Sequence, residues 1–153
     1  MKKLISFFLL LCSYLSYGND IEKIRDIYFF SDKDENICDS ISLLLKNMNS
    51  ENNLVLAYRG ANTLLYCNKT NNVFKKFSYF EKGKYMIEQA IKNEPKNVEI
   101  KFLRYINQKN TPWYLNYKKN IKEDYKFIMQ NINIINDQKF RNKVIETLKT
   151  FKW

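Results

Sequence analysis

The sequence predicts an all-α fold of six to seven helices packed as antiparallel pairs. Three observations lead there. Apolar residues recur at helical spacing from one end of the chain to the other. No segment sustains the period-2 alternation of a half-buried strand. Turn formers are sparse, with 3 Gly and 2 Pro in 153 residues, far fewer than a chain of short strands and hairpins needs.

The elements follow in order. Asp20 is placed to cap a helix whose stripe is Ile21, Ile24, Ile27 and Tyr28. Ser31 to Asp34 breaks that pattern, and Ile37, Ile41, Leu44, Leu45 and Met48 resume it. The pattern over 20–48 fits one kinked helix or two. After a polar connector, Leu54, Tyr58, Ala61 and Leu65 form the next stripe, and 68–72 (NKTNN) is a turn. Val73, Phe77, Phe80, Ile87 and Ile91 define a long helix that ends at Glu94, because the residue before Pro95 avoids the α region. Asn97 caps a helix carrying Val98, Phe102, Leu103 and Ile106, made apolar nearly all round by Ile100 and Tyr105 and therefore central. Residues 109–117 read as an aromatic loop whose rings pack back on the core. Ile121, Tyr125, Ile128, Ile132 and Ile135 give the cleanest period, and Asp137 caps a last helix with Phe140, Val144, Leu148 and Phe151.

Residues 1–18 have the three parts of a secretory signal peptide: Lys2-Lys3, the apolar run from Leu4 to Leu15, and small residues at Ser16 and Gly18. The run is shorter than the ~20 residues of a membrane span. The expectation is export to the periplasm or beyond, a single helical domain over 19–153, and no transmembrane segment after cleavage. In that oxidising compartment a bridge between Cys38 and Cys67 is permitted. A small buried thiol accounts for either cysteine equally well.

The composition excludes much chemistry. The chain has no histidine, so no Ser-His or Cys-His pair and no imidazole metal site is available. Three glycines make neither a dinucleotide fingerprint nor a P-loop. No cofactor is expected and no enzymatic activity. Asp32-x-Asp34-x-Asn36 copies the opening of a calcium loop, but Ile37 and Leu43 stand where glycine and glutamate are needed. Glu81, Lys84 and Glu88 read as a surface network on one helix face.

The formal charge is +10, and the basic residues are mostly lysine in a chain also rich in Asn and Ile. Such a bias follows from AT-rich codons, which weakens the charge as a pointer to an anionic partner. The same bias makes the four arginines, Arg25, Arg59, Arg104 and Arg141, candidates for places that need a planar fork. Arg104 sits in the most apolar helix, and the expectation is a structural ion pair with Glu99 or Asp124 that fixes helix register.

Gly83, Ile87, Ala90 and Pro95 stand at the spacing of small residue, large apolar residue, alanine and proline in the second helix of a tetratricopeptide repeat. The segment resembles that family, and the resemblance implies an array of helix pairs. A second copy at the 34-residue period is missing, so the likeness is to a single degenerate repeat. The stretch from Gly83 to Asp124 also resembles small secreted flavobacterial proteins of unknown function.

The expected function is binding of an envelope protein, with Tyr58, Arg59, Tyr66, Tyr85, Tyr105 and Trp113 as anchors. Nucleic acid is not an expected partner for an exported chain. The alternative is a polyanion or membrane-surface binder driven by the basic charge.

Overall fold

The computed structural model describes residues 20–30, 36–49 and 51–151. Among them are seven helices and no strand. The chain divides into two compact units, one up to Met48 and one from Asn49 onward.

The first unit contributes α1 (20–30) and α2 (Ile37–Lys46), so the 20–48 pattern belongs to two helices. In α1, Ile21 and Ile24 are buried. In α2 the buried line is Cys38, Ile41 and Leu45, continued by Met48. Cys38 thus occupies a core position of its helix as a small apolar residue does. Asp32 and Asp34 of the calcium-like triplet lie outside the described residues.

The second unit holds α3 (Asn53–Leu65), α4 (Val73–Asn93), α5 (Val98–Asn110), α6 (Ile121–Asn131) and α7 (Gln138–Thr150), with 3-10 turns at Tyr66–Lys69, Trp113–Leu115 and Ile132–Ile134. Four of these helices start on a side-chain cap. Asn52, Asn72, Asn97 and Asp137 accept from backbone N–H groups of the first turn, which satisfies donors a helix leaves open. Asn97 and Asp137 are the caps the sequence predicts. Pro95 stops α4 as expected, and Glu94 leaves the helical region there. The Glu94 carboxylate then ties the corner together by accepting from Asn53 and Asn97.

α3 and α4 run antiparallel. Asn53 Nδ2 reaches Glu94 at one end, and the rings of Tyr66 and Tyr79 lie 5.7 Å apart at the other. Between them Gly60 meets Gly83. A Cβ on either would sit 2.7 Å from the carbonyl oxygen of the other, so both positions exclude any side chain at this crossing. Both glycines lie in mid-helix, where they weaken the helix itself by about 1 kcal/mol each relative to alanine. The gain is close packing of Ile87 and Leu64 around the crossing.

α4 has 21 residues against 13 in α3. At ~1.5 Å per residue it outruns its partner by about 12 Å. The sequence places Val73 and Phe77 on the same buried stripe as Phe80. The structure corrects this: Val73, Phe74 and Phe77 are exposed, and burial begins at Phe80; Val73 lies in the first turn of the long helix, beyond the reach of α3, and Phe74 and Phe77 are turned away from Gly83 and the α3 crossing.

α5 is the central helix, as its all-round apolar pattern predicts. Every residue from Val98 to Gln108 is buried. α6 packs antiparallel to it, Lys101 meeting Asp124 and Gln108 meeting Asn120. Phe140 of α7 packs edge-on against Phe102 at 6.0 Å.

Gly83→Ala is expected to lower stability by about 1–2 kcal/mol. The backbone clash outweighs the gain in helix propensity. Urea denaturation checks this, and a stabilised variant would mean that α3 and α4 separate at little cost.

Candidate functional site

The densest polar chemistry sits inside the second unit, where α4, α5 and α6 meet. Asp124, in the first turn of α6, has no solvent exposure. Arg104 of α5 grips it with both arms of its fork: Nε donates to Oδ2 at 2.7 Å and Nη2 to Oδ1 at 2.8 Å. Lys101, one turn earlier on the same helix face, donates to Oδ1 at 3.1 Å and to Glu123 at 3.4 Å. The remaining arm of Arg104 reaches Glu88 on α4 at 3.0 Å. Tyr117, buried in the α5–α6 connection, donates its hydroxyl to the other oxygen of Glu88 at 2.8 Å. Lys101 also lies 4.9 Å from the centre of the Phe127 ring.

The electrostatics follow from this geometry. Burial works to lower the Arg104 pKa, but the hydrogen bonds and negative charge of Asp124 and Glu88 outweigh it, and the guanidinium is held above its ordinary value. Burial, and then the charge and hydrogen bond of Glu88, push the Tyr117 hydroxyl well above the tyrosine range. The hydrogen bond and charge of Lys101 hold Glu123 below the usual carboxylate range. Each shift keeps a group in the form its neighbour requires. The cluster is a mutual neutralisation of fixed charges that joins three helices.

The expected ion pair is therefore present with Asp124 and not with Glu99. Five residues along a helix turn the chain by ~140°, so Glu99 and Arg104 face different ways. Glu99 instead accepts the Tyr58 hydroxyl at 2.6 Å. Glu88 also leaves its expected place. The Glu81–Lys84 pair forms at 3.2 Å, while Glu88 turns inward. Arg141 uses its fork on the Ile135 carbonyl, Nε donating at 2.8 Å, and closes the turn before α7.

The proposed anchors separate into two groups. Tyr58 and Tyr105 are fully buried and belong to the core, where no partner reaches them. Tyr105 packs edge-on against Phe151 and is tilted against Tyr125; its hydroxyl has no hydrogen-bond partner among the described residues. Arg59 and Tyr66 are half-buried. Tyr85 is 64% exposed and Trp113 82% exposed. The aromatic loop does not pack back as a whole. Tyr117 is buried against Phe80, whereas Trp113 and Tyr114 pack edge-on against each other in the open. Cys38 is buried in the first unit and Cys67 is half-buried in the second. Cys67 donates to the Lys76 carbonyl, and burial pushes its pKa up, which disfavours the reactive thiolate.

A second feature lies on the face of α4 turned away from Gly83. Phe74, 86% exposed, Phe77, 59% exposed, and Tyr85 stand at i, i+3 and i+11. They form one line on the helix, roughly 16 Å long from Phe74 to Tyr85. Lys75 and Lys82 border the line and are exposed. Phe74 carries no helical-core spacing in the sequence, which is why pattern reading passes over it.

Searches of protein families, of curated proteins and of solved structures return no match to this chain. Among the described residues no group of three His, Cys, Asp or Glu is placed to hold a metal, and no helix is long and apolar enough to cross a membrane.

Two predictions test the buried cluster. Arg104→Ala is expected to cost about 3 kcal/mol, since it strands a buried carboxylate, and Arg104→Lys recovers only part because an ammonium lacks the fork. A denaturation midpoint equal to wild type would remove the pair from the stabilising interactions. The second concerns alkaline pH. Tyrosine in the unfolded chain ionises near 10, and the folded value for Tyr117 is higher. The folded state then holds a proton that the unfolded state has lost. Stability is complete below about pH 10 and falls as pH rises above it. Tyr117→Phe is expected to flatten that fall in urea titrations at several pH values; identical slopes would contradict it.

Proposed function

We propose that this chain is a non-enzymatic binding domain that docks a protein partner on the outward face of α4. The carrying observation is the line Phe74, Phe77 and Tyr85, three large rings on one helix face and all exposed. Such spacing suits a helix laid into an apolar groove, and aromatic rings are the residues that most often dominate binding energy. The lysines along the border, Lys75 and Lys82, select a groove rimmed by carboxylates. Tyr85 is the one sequence-predicted anchor on this line. Trp113 is exposed on the α5–α6 connection and not on α4, and Tyr58 and Tyr105 drop out.

The non-enzymatic part rests on what the polar groups do. Glu88, Arg104, Tyr117 and Asp124 are engaged with one another, and chemistry would require some of them to face a substrate. The exported setting, and hence an envelope protein as the partner, rests on the signal-like N-terminus, which lies outside the described residues. The tetratricopeptide-like reading rests on the Gly83 to Pro95 spacing, and the close Gly60–Gly83 crossing of an antiparallel pair is in keeping with it.

A photo-crosslinking amino acid at position 77, in the native host, is expected to give one envelope-protein adduct. With that partner purified, Phe74→Ser is expected to weaken binding by about tenfold or more and to leave circular dichroism and stability unchanged. Binding should persist in ~0.5 M salt, where attraction between exposed charges is screened. No protein adduct, or affinity indifferent to both Phe74→Ser and Tyr85→Ser, would sink the reading. Loss of all binding in salt would favour the polyanion alternative.

A further inference from the structure

We propose that the concavity between the end of α5 and the start of α6 binds a compact ligand carrying two or more phosphate groups. The cup holds about 460 Å³, within the size range of small-molecule sites. Its lining residues are Lys109 from the last turn of α5, Lys118 and Lys119 from the connection, and Ile121 and Lys122 from the first turn of α6. Four lysines line one concavity, which makes the local potential positive and favours a multivalent anion. An ammonium is a compact charge with three rotatable donors. Several of them can meet phosphate oxygens from different sides, where a planar fork would demand one approach.

The cup is held in shape by the residues around its lysines. Lys118 and Lys119 sit between two fixed points. Tyr117, just before them, is buried and bonded to Glu88. Asn120, just after them, exchanges hydrogen bonds with the Gln108 side chain at 3.3 and 3.4 Å. The chain enters this stretch through Asn116, whose left-handed backbone (φ 49°) makes the reversal. Lys109 rests 5.5 Å from the centre of the Phe151 ring, and Ile121 is buried. Glu123, the acid nearest in sequence, is drawn to Lys101 and Asn120. A site positioned in advance loses less freedom when it binds.

The shape selects the ligand. An extended polyanion calls for a stripe of cations along the surface. Here the lysines line a hollow, which fits a compact group of clustered phosphates. The site is remote in sequence from the α4 line, and either proposal stands without the other.

The test is calorimetric titration of the full chain with sodium tripolyphosphate. The expected result is saturable one-to-one binding, weakened about tenfold or more by the double change Lys118→Ala and Lys119→Ala. The control double change, Lys92→Ala and Lys96→Ala, should leave it intact. Vesicles of phosphatidylcholine carrying cardiolipin, whose headgroup holds two phosphates, form the second arm. Vesicle binding that tripolyphosphate displaces and the Lys118/Lys119 variant abolishes assigns the phosphates to a lipid headgroup. Tripolyphosphate binding with no vesicle binding assigns them to a soluble ligand. Absence of saturable tripolyphosphate binding overturns the proposal, and so does equal weakening by both double changes, which would mark diffuse attraction to a basic surface.

Discussion

Asp124 sets the terms for the second unit. A carboxylate with no contact with water is tolerable only when its charge and its lone pairs are answered. The answer comes from α5, which supplies Arg104 and Lys101 one turn apart. That places the first turn of α6 against the middle of α5 at one register. Arg104 then carries the connection to α4 through Glu88, and Tyr117 brings the α5–α6 connection to the same carboxylate. Apolar packing alone would let these helices slide by a turn at modest cost. The fork on Asp124 does not, because a shift strands two buried charges at once.

The second constraint is steric and works on the other pair. Gly60 and Gly83 bring α3 and α4 so close that no side chain fits between them. α3 ends and turns at Tyr66–Lys69, while α4 has already run past that turn. The side of α4 turned away from this crossing carries the three exposed rings. The contact that buries one side of the helix leaves the opposite side facing outward. Its exposure contrasts with the inner side of the same helix, where Ile87 and Ala90 are fully buried.

The sequence was legible where one residue decides a local event. Pro95, Asn97 and Asp137 mark helix boundaries by backbone chemistry, and the structure has them there. The central place of α5 was legible because its apolar residues go all the way round. Arg104 stood out because arginine is rare in this chain, and Asp124 was one of its two expected partners. What escaped depends on distance in the sequence. Nothing near Glu88 announces that it leaves Glu81 and Lys84 for a guanidinium 16 residues on. Tyr58 and Tyr105 look like surface anchors by type and prove to be core, because tyrosine suits both settings. Val73 keeps helical spacing with Phe80, yet spacing reports which face a residue occupies and not whether a neighbour is long enough to cover it.

Arginine and lysine on α5 divide the work by geometry within a lysine-rich composition. Both Arg104 and Lys101 serve Asp124, but they do different work. Arg104 must satisfy two oxygens of one carboxylate and reach a second carboxylate on another helix, which takes a planar group with several donors. Lys101 adds one bond to Asp124 and one to Glu123, and lies beside the Phe127 ring; a single flexible ammonium suffices. Where a fork is required the chain departs from its lysine habit, and where a point charge suffices it does not. The α5–α6 connection follows the same rule in the open, since the four cations that line its cup are all lysine. A group of clustered phosphates needs charge from several directions more than it needs one oriented fork. The buried arginine and the lysine cup thus express one physical distinction, between a carboxylate held in a single orientation and an anion met from several sides.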